Sequence, residues 1–394
     1  MHYFIYPESD TTLYSASGSM NTGLDEILEI RKDVDSSGVK TKVSRILMKF
    51  DLAYISKSMD RGLITNPKFY LNLYDANPTD LSISQSIWAH PVSQSWDVGE
   101  GFRFDSPGTT DGASWNYRTN ADTTTADWWL EASASLSGSV AQGGTFYNNV
   151  YASQSFSYGS QDMRMDVTPI VNKWITGAAA SRYTNEGFIL KRSGSLGNGA
   201  AEVASFISGS GEEGNNKKYG NFSFFSRQTN TIYPPKLEVE WFDTKWSTGS
   251  LSALDSDELD DLAFYMKNIR ATYKEKSKVK FRVNGRGRYP TKSYSNTSSA
   301  FLTSKYLPSG SVENIGGDGV YYSIVDDKTA DVIIPFGTGS LVSCDSKGNY
   351  FNVWMDAFQA ERYYKFEFKV VSGSGTSEET IQYFDDNFLF KVVR

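Results

Sequence analysis

Alternation of apolar and polar residues is the dominant pattern along the first 240 residues. It recurs in five short runs: SRILMKFDL (44–52), PKFYLNLYD (67–75), FILKRS (188–193), FSFFSRQ (222–228) and PKLEVEWF (235–242). A period of two residues is typical of half-buried β-strands. Stretches rich in Gly, Ser, Thr and Asn, notably 105–127 and 194–219, are too long for hairpin turns. Many short strands with long returns predict an N-terminal jelly-roll-like β-sandwich over residues 1–243.

One stretch, DVTPIVNKWITG (166–177), departs from this pattern. Thr168 suits a helix N-cap, Pro169 the first helical position and Gly177 the position just past the end. The apolar residues Val171, Trp174 and Ile175 follow at i, i+3 and i+4. We predict a single short helix laid over an open end of the sandwich, with Trp174 facing the core and not a ligand.

The second half begins with a polar, acidic segment, 244–262, which we interpret as a linker. Residues 255–275 fit two alternatives, because Asp255 and Glu258 are spaced as a helix-capping pair while Leu262, Phe264 and Met266 fit a strand. We favour the strand, since KVKFRV (278–283) alternates directly behind it. Further alternating runs follow: GVYYSIVD (319–326), ADVIIPF (330–336), YFNVWMD (350–356), RYYKFEFKVV (362–371) and NFLFKVV (387–393). They predict an immunoglobulin-like β-sandwich over 263–394.

Composition agrees with two β-rich domains. The chain has 394 residues, more than one hydrophobic core usually serves, and 14% of them are aromatic. A net charge of −7 argues against nucleic acid as a dedicated partner, and a single cysteine excludes an internal disulfide. The segment MHYFIYPESDTTLY (1–14) lacks the features of a signal peptide, and no apolar run is long enough to span a membrane. We therefore expect assembly in the cytoplasm and no membrane partner.

Residues that could perform catalysis are few. His2 and His90 are the only histidines, and no G-x-S-x-G motif accompanies them. His90 is interpreted as a structural residue near a strand end, and Cys344 as a buried structural thiol. Metal sites made of His and Cys are excluded by their number, and the aspartate clusters lack the spacing of a calcium loop. We expect no enzymatic activity, no cofactor and no metal ion.

Five parts of the first 240 residues occur in a characteristic order: NTGLDEILEI (21–30), SRILMKFDL (44–52), SIWAHPVSQSWD (86–97) with SWNY (114–117), DVTPIVNKWITG (166–177) with NEGFILK (185–191), and FFSRQTNTIYPPKLEVEW (224–241). Together they resemble the DNRLRE-domain family, jelly-roll-like β-sandwiches of bacterial surface proteins and tailed-phage virion proteins. Gln228 stands where that family usually has glutamate, so a salt bridge from that glutamate is absent. The C-terminal part, with GNYFNVWM (348–355), is similar to modules appended to phage structural proteins.

The resemblance implies a non-enzymatic structural component of a phage virion, in the tail, neck or baseplate region. Its partners would be other virion proteins and copies of itself, and its place the virion, assembled in the host cytoplasm. The alternative is a carbohydrate-binding or adhesin module that recognises a surface polysaccharide, for example an acidic one such as alginate.

Two sets of residues are candidates for an interaction surface. Aromatic residues in or near the long loops could be exposed for sugar stacking or for a neighbouring subunit: Trp115, Trp128, Trp129 and Tyr147. Cations alternate along 274–282, where Lys278, Lys280 and Arg282 would share one strand face with Lys274 and Lys276. A solvated face, an acidic protein neighbour and nucleic acid are the interpretations of that row, in this order of preference.

Overall fold

The chain forms two compact units of strands. A computed structural model describes residues 1–36, 40–79, 81–106, 108–120, 127–130, 142–157, 162–177, 181–194, 203–204, 211–267, 269–289, 304–310 and 317–394. The N-terminal unit comprises Ile5–Asp60 and Lys68–Glu238, and the C-terminal unit Met1–Phe4, Arg61–Pro67 and Val239–Arg394. Residues 244–262 therefore belong to the C-terminal unit and do not form a separate linker, because backbone bonds such as Ser247 N–H to Cys344 O tie them to it.

Strands supply nearly all of the regular structure, so the predicted all-β sandwich architecture is confirmed. The first thirteen strands are β1 (His2–Ile5), β2 (Ser9–Tyr14), β3 (Ile27–Val34), β4 (Lys40–Lys49), β5 (Lys68–Leu73), β6 (Gln85–Pro91), β7 (Phe146–Tyr147), β8 (Ala152–Phe156), β9 (Met163–Asp166), β10 (Phe188–Arg192), β11 (Val203–Ala204), β12 (Gly220–Phe225) and β13 (Lys236–Glu240). The α-helices are α1 (Ala53–Asp60), α2 (Thr168–Ile175) and α3 (Ser256–Asp260). The remaining strands are β14 (Leu262–Lys267), β15 (Thr272–Lys274), β16 (Lys278–Gly287), β17 (Gly319–Asp326), β18 (Val332–Ile334), β19 (Ser343–Asp345), β20 (Gly348–Trp354), β21 (Tyr363–Ser372) and β22 (Thr380–Val393).

The main sheet of the N-terminal unit has the strand order β12-β3-β4-β10-β6-β8, and β2 also pairs with β4. Its strands are antiparallel, with Leu190 of β10 between Ile46 of β4 and Ala89 of β6. Strand β9 pairs with β5 in a second sheet. Long loops, including those around residues 92–118 and 142–146, add buried side chains to a core cluster that also holds Leu47 and Ile189.

The short helix predicted from DVTPIVNKWITG is confirmed as α2, and its start differs from the expectation. Val167 is the N-cap and Thr168 is the first helical residue. The Thr168 hydroxyl does not cap the helix, because its Oγ1 accepts the N–H of Phe69 at 2.8 Å. Gly177 follows the end of the helix with φ +86°, a conformation that favours glycine. Helix α1 is present in addition to it, and the Asp51 carboxylate accepts the N–H of Ala53 at its start.

Trp174 faces the core, as predicted. Its side chain is buried, and its ring meets Phe188 edge-on with the centroids 4.8 Å apart. Edge-to-face packing of this kind is a favoured aromatic arrangement. Helix α2 therefore closes part of the N-terminal core with its apolar stripe.

Two sheets enclose the core of the C-terminal unit, with strand orders β14-β16-β20-β19 and β15-β22-β21-β17-β18. Phenylalanines fill the space between them, for example Phe281 against Phe366 at 4.8 Å between ring centroids. The ambiguous segment contains one turn of helix followed by the favoured strand, so the longer helix of the alternative is not formed. Asp255 and Glu258 form the capping box of the one-turn helix α3, and the favoured strand follows as β14. Among the described helices, none is long and apolar enough to cross a membrane.

Candidate functional site

Two of the four predicted surface aromatics lie inside the N-terminal unit. Trp115 is 2% exposed and Trp129 is fully buried, with its indole Nε1 donating to the Ser114 carbonyl at 3.0 Å. Both belong to the core cluster formed by the long loops. This burial corrects the expectation that they are available to a ligand or a neighbouring subunit. The physical reason is that a long loop can fold back and bury its large apolar rings, which is more favourable than leaving them in water.

The other two aromatics, Trp128 and Tyr147, are partly exposed. Trp128 meets Tyr117 edge-on at 5.2 Å, whereas Tyr147 stacks on Tyr183 with centroids 3.7 Å apart and planes 6° from parallel. They therefore belong to two different ring pairs. Of the four aromatic residues predicted for the surface, Trp128 and Tyr147 are therefore the ones whose side chains are partly exposed.

A charged network lies buried beside Trp115. The Arg45 guanidinium donates to both carboxylate oxygens of Glu213, at 2.8 and 2.9 Å, and the Lys191 ammonium lies 2.9 Å from the same carboxylate. Arg45 also donates to the Gly143 carbonyl at 2.6 Å, and its guanidinium carbon lies 5.2 Å from the Trp115 ring centroid. Burial opposes ionisation of Glu213, but the charges of Arg45 and Lys191 outweigh it and lower the pKa of Glu213 to about 2. Two cations share one carboxylate in this buried network, and we interpret it as part of the core of the N-terminal unit.

The histidine and the cysteine considered in the sequence have structural surroundings. His90 is buried against Phe146, and burial together with the nearby Lys191 charge lowers its pKa to about 3, so the ring is neutral. The Cys344 side chain is buried, and burial raises the pKa of its thiol. The expected burial of Cys344 is confirmed, and His90 lies near the end of β6 as expected. The described part of the chain contains no group of three or more His, Cys, Asp or Glu side chains that could hold a metal ion.

The predicted row of cations is present on strand β16. Lys278 and Lys280 are exposed and Arg282 is partly exposed, while Phe281 and Val283, on either side of Arg282, point into the core. The alternation predicted for KVKFRV is confirmed. Lys274 and Lys276 do not continue the row on this strand, because Lys274 ends β15 and Lys276 lies in the turn between the strands with φ +58°.

Two aromatic residues of the neighbouring strand join these cations. The antiparallel register places Trp354 opposite Lys278 and Tyr350 opposite Arg282. The Lys278 ammonium lies 5.1 Å from the Trp354 ring centroid, and the Lys280 ammonium lies 3.8 Å from that of Tyr350. We call this surface the basic face and define it by Lys278, Lys280, Arg282, Tyr350 and Trp354. Sequence reasoning missed the two rings, although the alternation in YFNVWMD already placed both on one face of a strand.

One carboxylate sits at the end of the basic face. Asp345 of β19 accepts two bonds from the Arg282 guanidinium, at 2.9 and 2.8 Å, and lies 3.6 Å from the Lys280 ammonium. Hydrogen bonds from Arg282 are the main reason why the pKa of Asp345 falls to about 2. Asp345 pairs with two of the three cations, and Asp243, whose charge also acts on Tyr350, is paired with the Met1 ammonium. Lys278, Lys280 and Arg282 therefore outnumber Asp345 and can attract an acidic surface.

Comparison with known proteins does not assign this chain. No protein-family model matches it, and no curated protein sequence matches it. The candidate sites are therefore judged on their own chemistry.

Proposed function

We propose that this protein is a non-enzymatic structural component of a tailed-phage virion, in the tail, neck or baseplate region. It would act through protein–protein interfaces with other virion proteins and with copies of itself. The observation that carries the proposal is the basic face, a positively charged and ordered sheet surface. The resemblance of five segments in the N-terminal unit to DNRLRE domains supports the same context.

The geometry of the basic face favours a broad partner surface. Side chains on one face of a strand repeat about every 6.7 Å, so Lys278, Lys280 and Arg282 span about 13 Å in a line. Cations in a row on a sheet meet a complementary acidic surface without needing a pocket, and they speed its approach electrostatically. Such an interface gains specificity from the spacing of its charges.

The aromatic rings of the basic face are engaged within the unit. Lys280 lies over the Tyr350 ring, and Trp354 contacts the Lys278 ammonium and packs edge-to-face with Tyr3. A sugar ring needs an open aromatic face on which to stack, so these rings are better suited to holding the lysines in place. This favours an acidic protein neighbour over a glycan at the basic face.

Charge reversal tests the proposal. The variant Lys278→Glu/Lys280→Glu is compared with Lys57→Glu/Lys217→Glu, which has the same change in net charge at exposed lysines of the N-terminal unit. Sedimentation velocity and co-purification with the virion proteins of the same phage report on assembly at low and high salt. We expect assembly to be lost in the first variant and retained in the second. A wild-type chain that stays monomeric and captures no virion protein would overturn the proposal.

A carbohydrate-binding or adhesin function is the second candidate, and the partly exposed ring of Trp128 favours it. Because Trp129 is in the core, the informative variant is Trp128→Ala alone. Binding to alginate or to a glycan array that is present in the wild type and lost in Trp128→Ala would place this function first. If the wild type binds neither alginate nor any glycan of the array, the carbohydrate-binding function is ruled out.

A further inference from the structure

A cleft of about 390 Å³ lies on the N-terminal unit, beside strands β3 and β12. Its lining includes Tyr14, Asp25, Glu29, Arg103, Phe104 and Asn221. This size is within the range of small-molecule sites in proteins. The cleft does not involve the basic face or Trp128, and its role is independent of the function proposed above.

The floor of the cleft is polar and held in place by hydrogen bonds. Glu29, which is 7% exposed, accepts from the Tyr14 hydroxyl at 2.6 Å and from the Asn221 amide nitrogen at 2.5 Å. The Arg103 guanidinium donates to the same carboxylate. Burial and the Glu29 charge raise the pKa of Tyr14 well above its ordinary value, so its hydroxyl keeps the proton that it donates. A carboxylate that accepts from three donors is fixed in position and can support a binding site.

Asn221 lies in the floor of the cleft beside Glu29. Its side chain is 6% exposed, and its amide nitrogen also lies 3.1 Å from the Ser223 hydroxyl. Its carbonyl oxygen Oδ1 has no hydrogen-bond partner among the residues that the structure describes. That oxygen is itself buried, so a ligand in the cleft cannot reach it, and Asn221 serves to hold Glu29 in place.

Asp25 provides an acceptor in the wall of the cleft. One of its oxygens accepts the backbone N–H of Arg103 at 3.0 Å. Burial is the main reason why the pKa of Asp25 rises to about 6. Near neutral pH the group is a partly buried carboxylate, which is stabilised by a hydrogen-bond donor and repels an anion. An acidic ligand is therefore disfavoured in this cleft.

Phe104 provides an apolar ring at the rim. It is 87% exposed, the largest exposed fraction among the large hydrophobic residues of the described chain. The Arg103 guanidinium lies 5.3 Å from its ring centroid. An exposed ring above a polar floor matches a ligand that has an apolar face and polar edges.

We propose that this cleft binds a neutral saccharide unit, with its ring packed on Phe104 and a hydroxyl group donating to Asp25. A sugar hydroxyl both donates and accepts, so it can also receive a hydrogen bond from Arg103. A pyranose ring has an apolar C–H face that can pack on Phe104 and hydroxyl groups at its edge that can bond to Asp25 and Arg103.

Isothermal titration of the full chain with neutral trisaccharides tests the proposal, with cellotriose and N-acetylchitotriose as probes. A trisaccharide of uronic acids and a lysine-rich peptide serve as the anionic and cationic comparisons. Phe104→Ala is expected to weaken saccharide binding about three- to tenfold. Asp25→Asn, which keeps the shape and loses the charge, is expected to weaken it about tenfold. Tyr383→Ala is the control, because it removes another exposed ring from the C-terminal unit and should leave the affinity unchanged.

The outcomes separate this site from its alternatives. Binding of a neutral trisaccharide that depends on Phe104 and Asp25 but not on Tyr383 supports the proposal. Absence of neutral saccharide binding at millimolar concentration overturns it, as does binding of the lysine-rich peptide alone. Equal loss in Phe104→Ala and Tyr383→Ala also overturns it. Co-purification with virion proteins should be unaffected by Phe104→Ala, so the result does not depend on the virion function.

Discussion

The ammonium nitrogen of Lys280 lies 3.8 Å from the centroid of the Tyr350 ring, across two neighbouring antiparallel strands. The same ammonium is 3.6 Å from the Asp345 carboxylate. A lysine on an exposed strand usually samples many conformations, and ordering it costs side-chain entropy. The ring and the carboxylate therefore hold a charge at a defined place on the basic face.

A double-mutant cycle measures this contact. Urea unfolding of the wild type, Lys280→Ala, Tyr350→Leu and the double variant should give a coupling of about 0.5–1 kcal/mol in the free energy of unfolding. The matched cycle uses Lys278→Ala with Tyr350→Leu and should give a coupling near zero, because Lys278 lies over Trp354. Equal coupling in the two cycles would mean that the Tyr350 ring acts only through its packing.

Loss of one charge in the buried network should destabilise the N-terminal unit strongly. Glu213→Gln keeps the size of the side chain but leaves Arg45 and Lys191 buried without their carboxylate. Removing one member of a buried ion pair costs about 3–5 kcal/mol, and we expect a loss of that order in the free energy of unfolding. Glu378→Gln at an exposed turn is the control, with an expected change below about 0.5 kcal/mol. Similar midpoints for the two variants in denaturant unfolding would contradict the structural role of the network.

The same network should make stability depend on acid pH. The pKa of Glu213 is lowered from 4.5 to about 2 in the folded chain. Its contribution is therefore present above the unfolded pKa and is lost as the pH falls through the folded pKa. We expect the difference in stability between the wild type and Glu213→Gln to shrink as the pH is lowered from about 5 towards 2. Unfolding curves recorded across this window test it, and a difference that stays constant would show that Glu213 is not ionised in the native network.

The two tryptophans Trp174 and Trp128 should respond differently to truncation. Trp174 is buried against Phe188, so Trp174→Ala leaves a cavity and should cost about 3–5 kcal/mol. Trp128 is partly exposed, so Trp128→Ala should cost clearly less. Thermal unfolding of the two variants side by side checks this. A larger loss for Trp128→Ala would mean that its ring contributes more to the core than its exposure indicates.

Much of the fold could be predicted because its signals are local. The alternation in KVKFRV assigns one face of β16 to water and the other to the core, whatever strand lies beside it. The stripe of Val171, Trp174 and Ile175 likewise identifies α2 within a single stretch. The cap of that helix was predicted wrongly, because the Thr168 hydroxyl bonds to Phe69, ninety-nine residues earlier in the chain.

The candidate sites depended on contacts between distant residues. Trp115 and Trp129 look like exposed loop aromatics in the sequence, and they are buried because their loops fold onto the sheet. Arg45 and Glu213 are 168 positions apart, and Asn221 and Glu29 are 192 apart. The sequence around each of these four residues gives no indication of its partner.

The sequence by itself therefore determined the clearly alternating strands such as β16 and β21, the α2 helix, the inward direction of Trp174 and the row of Lys278, Lys280 and Arg282. Each of these follows from a period of two or 3.6 residues, which acts over a few neighbours. Only the tertiary structure decided that Tyr350 and Trp354 join the basic face, that Glu213 neutralises Arg45, and that Asn221 and Phe104 share a cleft. Strand register and loop packing set these relations, and both arise from the burial of the whole core.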